Sequence, residues 1–362
     1  MPSTFTDPGI RSFDWYVGML DALPPTQYPA LMRAMFFNGE TPVVGDFVNW
    51  DTIGQFTAEG AEPNDPNASP HPVAPVLNQA KQVQLTYFSE EYPLPASLLN
   101  QRHPGMQPSD QNVGALTRAV DEIISRHARD LRDRVVTRLQ AAGWGLAVDG
   151  TYAYSGKNYQ MALDSGRNAN LDVTSGTAWD STGGGSPYGD LQAMLDTVAQ
   201  YGGVRPDAFI FGGTAWTYAM ANEVFREALT PSQGGPSILY TAQAGGQITP
   251  NTTQAGYTPT LLGRFMGVDC YICNELTSDG TTPYPYLAAT KVLAVNKGAW
   301  GGPTYYGTIQ NFKAFAGNQL LVPWYAYDVE DKYGKVRELV LETRRIWLPR
   351  NVNACGVLDT AG

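Results

Sequence analysis

Residues 112–142, NVGALTRAVDEIISRHARDLRDRVVTRLQAA, set the architecture of this chain. Val113, Leu116, Val120, Ile123 or Ile124, Leu131, Val135, Leu139 and Ala142 recur at steps of three and four, which lines one apolar stripe along a helix. Ser109 or Asp110 is the candidate cap, and Gly143 the expected stop. At ~1.5 Å per residue the helix spans roughly 45 Å, more than a compact domain needs. Glu122 with Arg126 and Asp130 with Arg134 are i,i+4 pairs in the favourable order, so the six arginines of this helix require no nucleic-acid face.

Upstream, residues 1–40 read as an arm with little core of its own. Its apolar clusters, Trp15 to Leu23 and Leu31 to Phe37, are interrupted by Pro24, Pro25 and Pro29, so the arm must borrow burial from elsewhere. Thr41 to Phe56 is extended, with Val43, Val44, Phe47, Val48, Trp50 and Ile53 supplying β-branched and aromatic residues. Gln82 to Phe88 alternates Val83, Leu85 and Tyr87 against polar neighbours. Between them Thr57 to Asn78 carries Pro63, Pro66, Pro70, Pro72 and Pro75, which forbids helix. Residues 41–95 thus form a long hairpin with an irregular tip, too poor in internal contacts to stand alone.

Downstream, Tyr152 to Leu163 is extended and the chain stays polar to Gly185. A helix from Gly189 to Tyr201 stops at Gly202-Gly203, Ala208 to Phe211 is a buried strand, and Thr214 to Leu229 a second helix. After a Gly, Gln, Thr and Pro-rich loop (Ser232 to Pro259) come strands at Phe265 to Ile272 and Tyr286 to Asn296. A final hairpin, Leu320 to Trp347, turns at Asp331 to Gly334. The class is α+β in more than one lobe.

Composition narrows the function. The 362 residues are 43% apolar and 11% aromatic but only 16% charged, with 20 Tyr, 8 Trp, 38 Gly and 26 Pro, a profile suited to extensive contacts. A net charge of −10, with no lysine before Lys81, disfavours a chain whose main task is gripping phosphates. Three cysteines make no disulfide framework. Met1 to Ile10 lacks a basic and apolar leader pattern, and no apolar run approaches the length of a membrane span.

No stretch carries catalytic chemistry, a metal site or a cofactor motif. His71 lies in the Pro-rich tip, His103 before Pro104 and His127 on the long helix, without ligand spacing between them. Cys270-Tyr271-Ile272-Cys273 matches C-x-x-C but sits in an extended run, where residues three apart point to opposite faces. Gly183-Gly184-Gly185 and Gly212-Gly213 invite a phosphate-loop reading. The second follows a strand, yet it lacks the P-loop lysine and the third glycine of a dinucleotide fingerprint, leaving a tight strand-to-helix turn. Acidic pairs such as Glu90-Glu91 keep a secreted glycan-active enzyme open as a minor alternative.

The succession of arm, long hairpin, long helix, mixed lobe and returning hairpin resembles the Hong Kong 97-type fold of tailed-phage and encapsulin shells. Met161-Ala162-Leu163-Asp164-Ser165-Gly166-Arg167, Asn168 to Asn170 and Thr174-Ser175-Gly176-Thr177-Ala178-Trp179 are similar to the segment after the long helix in lambda-like major head proteins, the phage capsid E family. The strand Phe209 to Phe211 and the helix bearing Trp216 continue that likeness.

The resemblance implies an N-terminal arm (1–40), an extended loop (41–95) and a peripheral domain (96–187) with its spine helix at 112–142. An axial domain (188–306) and peripheral C-terminal strands (307–362) follow. It implies a major head protein building hexamers and pentamers of an icosahedral shell around double-stranded DNA, touched weakly and non-specifically. Trp15, Tyr16, Phe36, Phe37, Trp50, Phe56, Glu59, Glu62, Pro63 and His71 become candidate contacts between subunits. Further implied partners are a separate scaffolding protein, since the arm starts within the first fifteen or so residues, a decoration or cement protein and a portal at one vertex, with no membrane. Lys81, the loop's only lysine, lies on a strand, so no covalent crosslinking is expected. An encapsulin-type compartment is the alternative shell.

Overall fold

The computed structural model describes residues 31–53, 78–95, 113–155, 160–180, 184–229, 261–273, 275–278, 283–316, 320–330 and 336–361. Helix α1 (Leu31–Met35) leads into β1 (Gly39–Pro42), β2 (Phe47–Ile53), β3 (Asn78–Gln84) and β4 (Thr86–Pro95). The long helix α2 is Val113–Val148, followed by a hairpin of β5 (Thr151–Ser155) and β6 (Gln160–Asp164), then β7 (Asp172–Thr174). Next come α3 (Pro187–Gly202), β8 (Ala208–Phe211), α4 (Gly213–Ala221) and α5 (Glu223–Ala228). Strands β9 (Leu261–Phe265), β10 (Val268–Ile272), β11 (Leu276–Ser278), β12 (Pro283–Pro285) and β13 (Lys291–Val295) precede α6 (Lys297–Trp300), β14 (Pro303–Tyr306) and α7 (Phe312–Ala316). The last strands are β15 (Tyr325–Glu330), β16 (Val336–Trp347) and β17 (Cys355–Asp359).

From Ile124 through Leu131, Val135, Leu139 and Ala142 helix α2 bears out the apolar stripe, whose earlier side chains lie outside the described residues, and it runs past the expected stop. Gly143 is a point of close approach: a Cβ there would lie 3.0 Å from Cε3 of Trp347. Trp144, Leu146 and Ala147 extend the buried stripe beyond it, and that burial outweighs the glycine's low helix propensity of about 1 kcal/mol.

A six-stranded sheet in the order β7-β17-β13-β8-β10-β9 separates two cores. Phe209 and Phe211 point into one, with Leu191, Met194, Val198 and Phe225 from α3 and α5, while Ala208 and Ile210 point into the other. Strands buried on both faces are continuously apolar, as AFIF is. The second core also receives Val135, Leu139 and Ala142 of α2, residues 31–37, and the foot of the β2–β3 hairpin through Val48, Trp50 and Val83. A five-stranded sheet, β1-β14-β16-β15 with β4 on β16, lies against α2 through Leu131, Leu339 and Leu341.

Several sequence expectations are corrected. Residues 31–37 belong to the core, because their apolar partners come from distant segments. The extended run 41–56 breaks at Val44–Asp46, where Gly45 takes φ +107°. The run at 82–88 divides at Leu85, and β4 leaves the hairpin to pair with β16 from Thr86 against Arg345 to Pro95 against Val336. The loop proper is therefore shorter than 41–95. The run Phe265 to Ile272 is not one strand: it holds the end of β9, a two-residue turn with Met266 and Gly267 both at positive φ as such a turn requires, and β10.

The helix expected at Thr214 to Leu229 is two, because Asn222 adopts extended backbone and its side chain caps α5 at the Phe225 amide, 3.1 Å away. Of Tyr286 to Asn296, only Lys291–Val295 is strand, and the last hairpin starts at Tyr325 rather than Leu320. β17 does not stay with the other C-terminal strands; it enters the six-stranded sheet between β7 and β13. The hairpin tip from Thr57 to Leu77, the Ser109 and Asp110 caps and the Asp331 to Gly334 turn lie outside the described residues.

Candidate assembly surface

The hairpin that needs a support is held at its foot by three polar clamps. Asp46, in the bend before β2, pairs with the buried Arg344 of β16, and Arg344 Nε also donates to the Leu85 carbonyl at 3.4 Å. The Leu85 amide donates to the Asp46 carbonyl at 2.9 Å. The indole N–H of Trp50 donates to the Pro349 carbonyl at 2.7 Å. Lys81 Nζ reaches the carbonyls of Asp164 and Ser165 at 3.1 and 3.3 Å, so this lysine is engaged at the turn after β6.

The residues expected to contact neighbours separate into two groups. Phe36, Phe37 and Trp50 are 3%, 1% and 4% exposed, and the subunit's own core covers them. Phe37 stacks on Trp347 at 5.0 Å between centroids, and Phe36 packs edge-on against Trp300. They have no free area to offer a second chain, which corrects the expectation for these three. Trp15, Tyr16, Phe56, Glu59, Glu62, Pro63 and His71 lie outside the described residues.

Exposed apolar area lies elsewhere. On α7, Phe312 and Phe315 are 93% and 68% exposed, whereas Ala314 between them is buried with Ile309 and Tyr325. The helix is held in place from below. Asn311 caps it by accepting from the Lys313 amide at 2.8 Å, and its Nδ2 donates to the Glu342 carboxylate at 3.0 and 3.2 Å. Tyr327 donates to the same carboxylate at 3.0 Å. The Lys313 ammonium stands 4.9 Å from the centre of the Tyr327 ring.

The loop leading to α7 is bonded to the hairpin bend: the Gly45 amide donates to Thr308 Oγ1 at 3.3 Å, and Gln310 Nε2 to the Asp46 carboxylate at 3.4 Å. That bend presents Val44 and Phe47, also exposed. These four apolar side chains are exposed on the isolated subunit. The only sequence signal was two phenylalanines three residues apart in Asn311-Phe312-Lys313-Ala314-Phe315, a stretch too short to show periodicity.

Among the described residues, several of the motifs considered for chemistry are engaged in packing or tight turns. Cys270 and Cys273 are free, buried, and divided between the two cores, and burial pushes both thiols up to about 12. A Cβ on Gly212 would fall 2.4 Å from the Ala288 carbonyl oxygen, so that glycine permits a tight turn. His127 stacks on Tyr92 with 3.7 Å between ring centres. Among the described residues no cluster of three His, Cys, Asp or Glu suits a metal ion, and no helix is long and apolar enough to cross a membrane.

The family model of phage major capsid protein E matches residues 19–356. No curated protein sequence matches the chain significantly. Among solved structures, one assigned as the capsid protein of a prophage in Escherichia coli CFT073 superposes with a TM-score of 0.71 at 12% identity, covering 97% of this chain and 99% of that one. At this identity the likeness is one of fold. The mature capsid of bacteriophage PhiM1 gives a TM-score of 0.49 at 10% identity, covering 94% of this chain and 89% of that one. The capsid of cyanophage A-1(L) gives 0.48 at 11%, covering 92% and 94%.

Proposed function

From the premise that the chain belongs to the phage major capsid protein E family and is a major capsid protein of Hong Kong 97-like fold, we propose that it forms hexamers and pentamers of an icosahedral shell enclosing double-stranded phage DNA. The family match over nearly the whole chain carries this reading. The readings as an encapsulin-type compartment and as a glycan-active enzyme have no comparable support.

Physical properties of the chain fit such a role. Subunits in a shell bury large areas against copies of themselves, and the exposed apolar groups at Val44, Phe47, Phe312 and Phe315 are suited to that burial. With a net charge of −10, contact with packaged DNA is weak and non-specific. The same chain has to serve five-fold and six-fold positions, so shell size needs outside control, for which a separate scaffolding protein is the proposed partner. A decoration protein and a portal at one vertex complete the set, with assembly in the host cytoplasm.

Negative-stain microscopy of the purified chain tests the reading. Closed shells or their five- and six-fold capsomers are expected. A stable monomer that hydrolyses polysaccharide would overturn it.

A further inference from the structure

Asp164-Ser165-Gly166-Arg167-Asn168, in the polar run after the long helix, form a turn stiffened by its own side chains. Gly166 takes φ +74°, Asp164 Oδ1 accepts from the Gly166 amide at 2.8 Å, and Ser165 Oγ accepts from the Arg167 amide at 3.3 Å. The turn is also tied at both ends. The Ser165 amide donates to the Gly150 carbonyl at 2.9 Å, and the Asn168 amide to Asn353 Oδ1 at 3.0 Å.

Arg167, whose side chain is 3% exposed, spends its guanidinium on two elements at once. It donates to the Ala147 carbonyl and, at 2.8 Å, to the Val148 carbonyl, at the end of α2 where carbonyls lack intrahelical partners. It also pairs with Asp172, the first residue of β7 in the six-stranded sheet. Any cation is favoured at a helix C-terminus, but only a planar fork spans two carbonyls and a carboxylate together, whereas an ammonium is a single point of charge. From the other side, the carbonyls of Asp164 and Ser165 take the ammonium of Lys81 on β3. The long helix, the six-stranded sheet and the β2–β3 hairpin thus all fasten to one turn.

The place where Lys81 fastens decides what that does. Asp46 and Leu85 hold the hairpin at its foot, and a hold at one level leaves the direction free. Lys81 stands opposite Trp50 in the β2–β3 register, and the interval from Gln84 to Lys81 is roughly 10 Å at about 3.3 Å per residue. At that second level Trp50 holds β2 through the Pro349 carbonyl and Lys81 holds β3 through the turn.

We propose that the turn 164–168 sets the direction in which the β2–β3 hairpin leaves the subunit, with Lys81 and Arg167 as positioning residues that lock this direction to the long helix and the six-stranded sheet. In a shell of repeated contacts the direction of an interacting element sets curvature, a consequence that rests on the shell reading above.

Spin labels on Asn49→Cys of β2 and Gln192→Cys of α3, both exposed positions, read that direction by dipolar spectroscopy on unassembled full-length subunits, whose native cysteines are buried. The parent chain should give one narrow distance distribution. Lys81→Met and Arg167→Lys should each broaden it and quicken amide exchange at Val83 by roughly 2–30-fold, the span of couplings carried by packed networks. Because the Arg167 guanidinium bonds to α2 and β7 rather than to the hairpin, mere helix capping predicts something else: faster exchange confined to residues 146–149 with the distance unchanged. That result would overturn the proposal, as would an unchanged distribution in Lys81→Met. If Arg167→Lys does not fold, Asp172→Asn, which cuts the tie to the sheet and leaves the two carbonyl bonds, is held to the same outcomes. In electron microscopy both variants should give a spread of diameters or open sheets, and variant shells as uniform as those of the wild type would also overturn it. Wild-type chain that forms no particles would sink the shell reading alone, since the spin-label distances judge the turn in the isolated subunit.

Discussion

Arg344, at 2% exposure in β16, spends its guanidinium on Asp46, whose side chain stands half in solvent at the bend of the hairpin. The buried partner makes the pair matter, because a lone arginine left inside is poorly compensated.

Asp46→Ala is therefore expected to weaken the hairpin foot while leaving the two cores intact. Solvent screens the exposed half of the pair, so the loss should be roughly 1–2 kcal/mol. Amide exchange should quicken at Leu85 and in β2 and β3, and remain unchanged in β15 and β17.

Phe37→Ala should destabilise the unassembled subunit itself by roughly 3–5 kcal/mol, measured by denaturant unfolding. Its ring is 1% exposed and stacked on Trp347, with Trp300 edge-on at 5.4 Å. A residue that touched only a neighbouring subunit would leave unfolding unaltered and change assembly alone.

His127 makes the fold sensitive to acid. Its ring stacks on Tyr92, and burial lowers its affinity for a proton despite Asp130 nearby, with Arg126 acting in the same direction as burial. The folded state therefore binds this proton less readily than the unfolded state, whose value is near 6.5. The stabilisation is present above that value and lost as pH falls through the folded one. Unfolding midpoints followed from about pH 8 to about pH 5 should decline at the acid end, and His127→Phe should flatten the decline.

What the sequence disclosed follows from which interactions are local. The stripe of α2 is legible because its periodicity reports burial on one face, and the AFIF strand because an unbroken apolar run reports burial on both. Sequence alone places Phe36 and Phe37 at subunit contacts because Trp300 and Trp347, which bury them, come from the far end of the chain and leave no local pattern. Gly143 reads as a stop because a glycine in a helix has two meanings, a terminus or a close approach, and only the position of Trp347 chooses between them. The bends at Val44–Asp46 and at Leu85 are likewise set by Arg344, a residue remote from both.

The exposed pair on α7 gives the sharpest test of assembly. Phe312 and Phe315 contribute almost nothing to the subunit's own core, since Ala314, Ile309 and Tyr325 fill the space beneath the helix. Replacing both with Asp should change unfolding by less than about 0.5 kcal/mol, the usual range for surface positions. If these rings are buried between copies, the same substitutions place two charges in an apolar contact, where desolvation opposes association at every repeat of the shell. Electron microscopy and sedimentation should then show folded subunits or capsomers without closed particles. Normal shells from the double variant would mean that α7 faces solvent in the assembled head, and the subunit contacts would have to be sought at Leu276 and Tyr284 on the β11–β12 hairpin, which are also exposed.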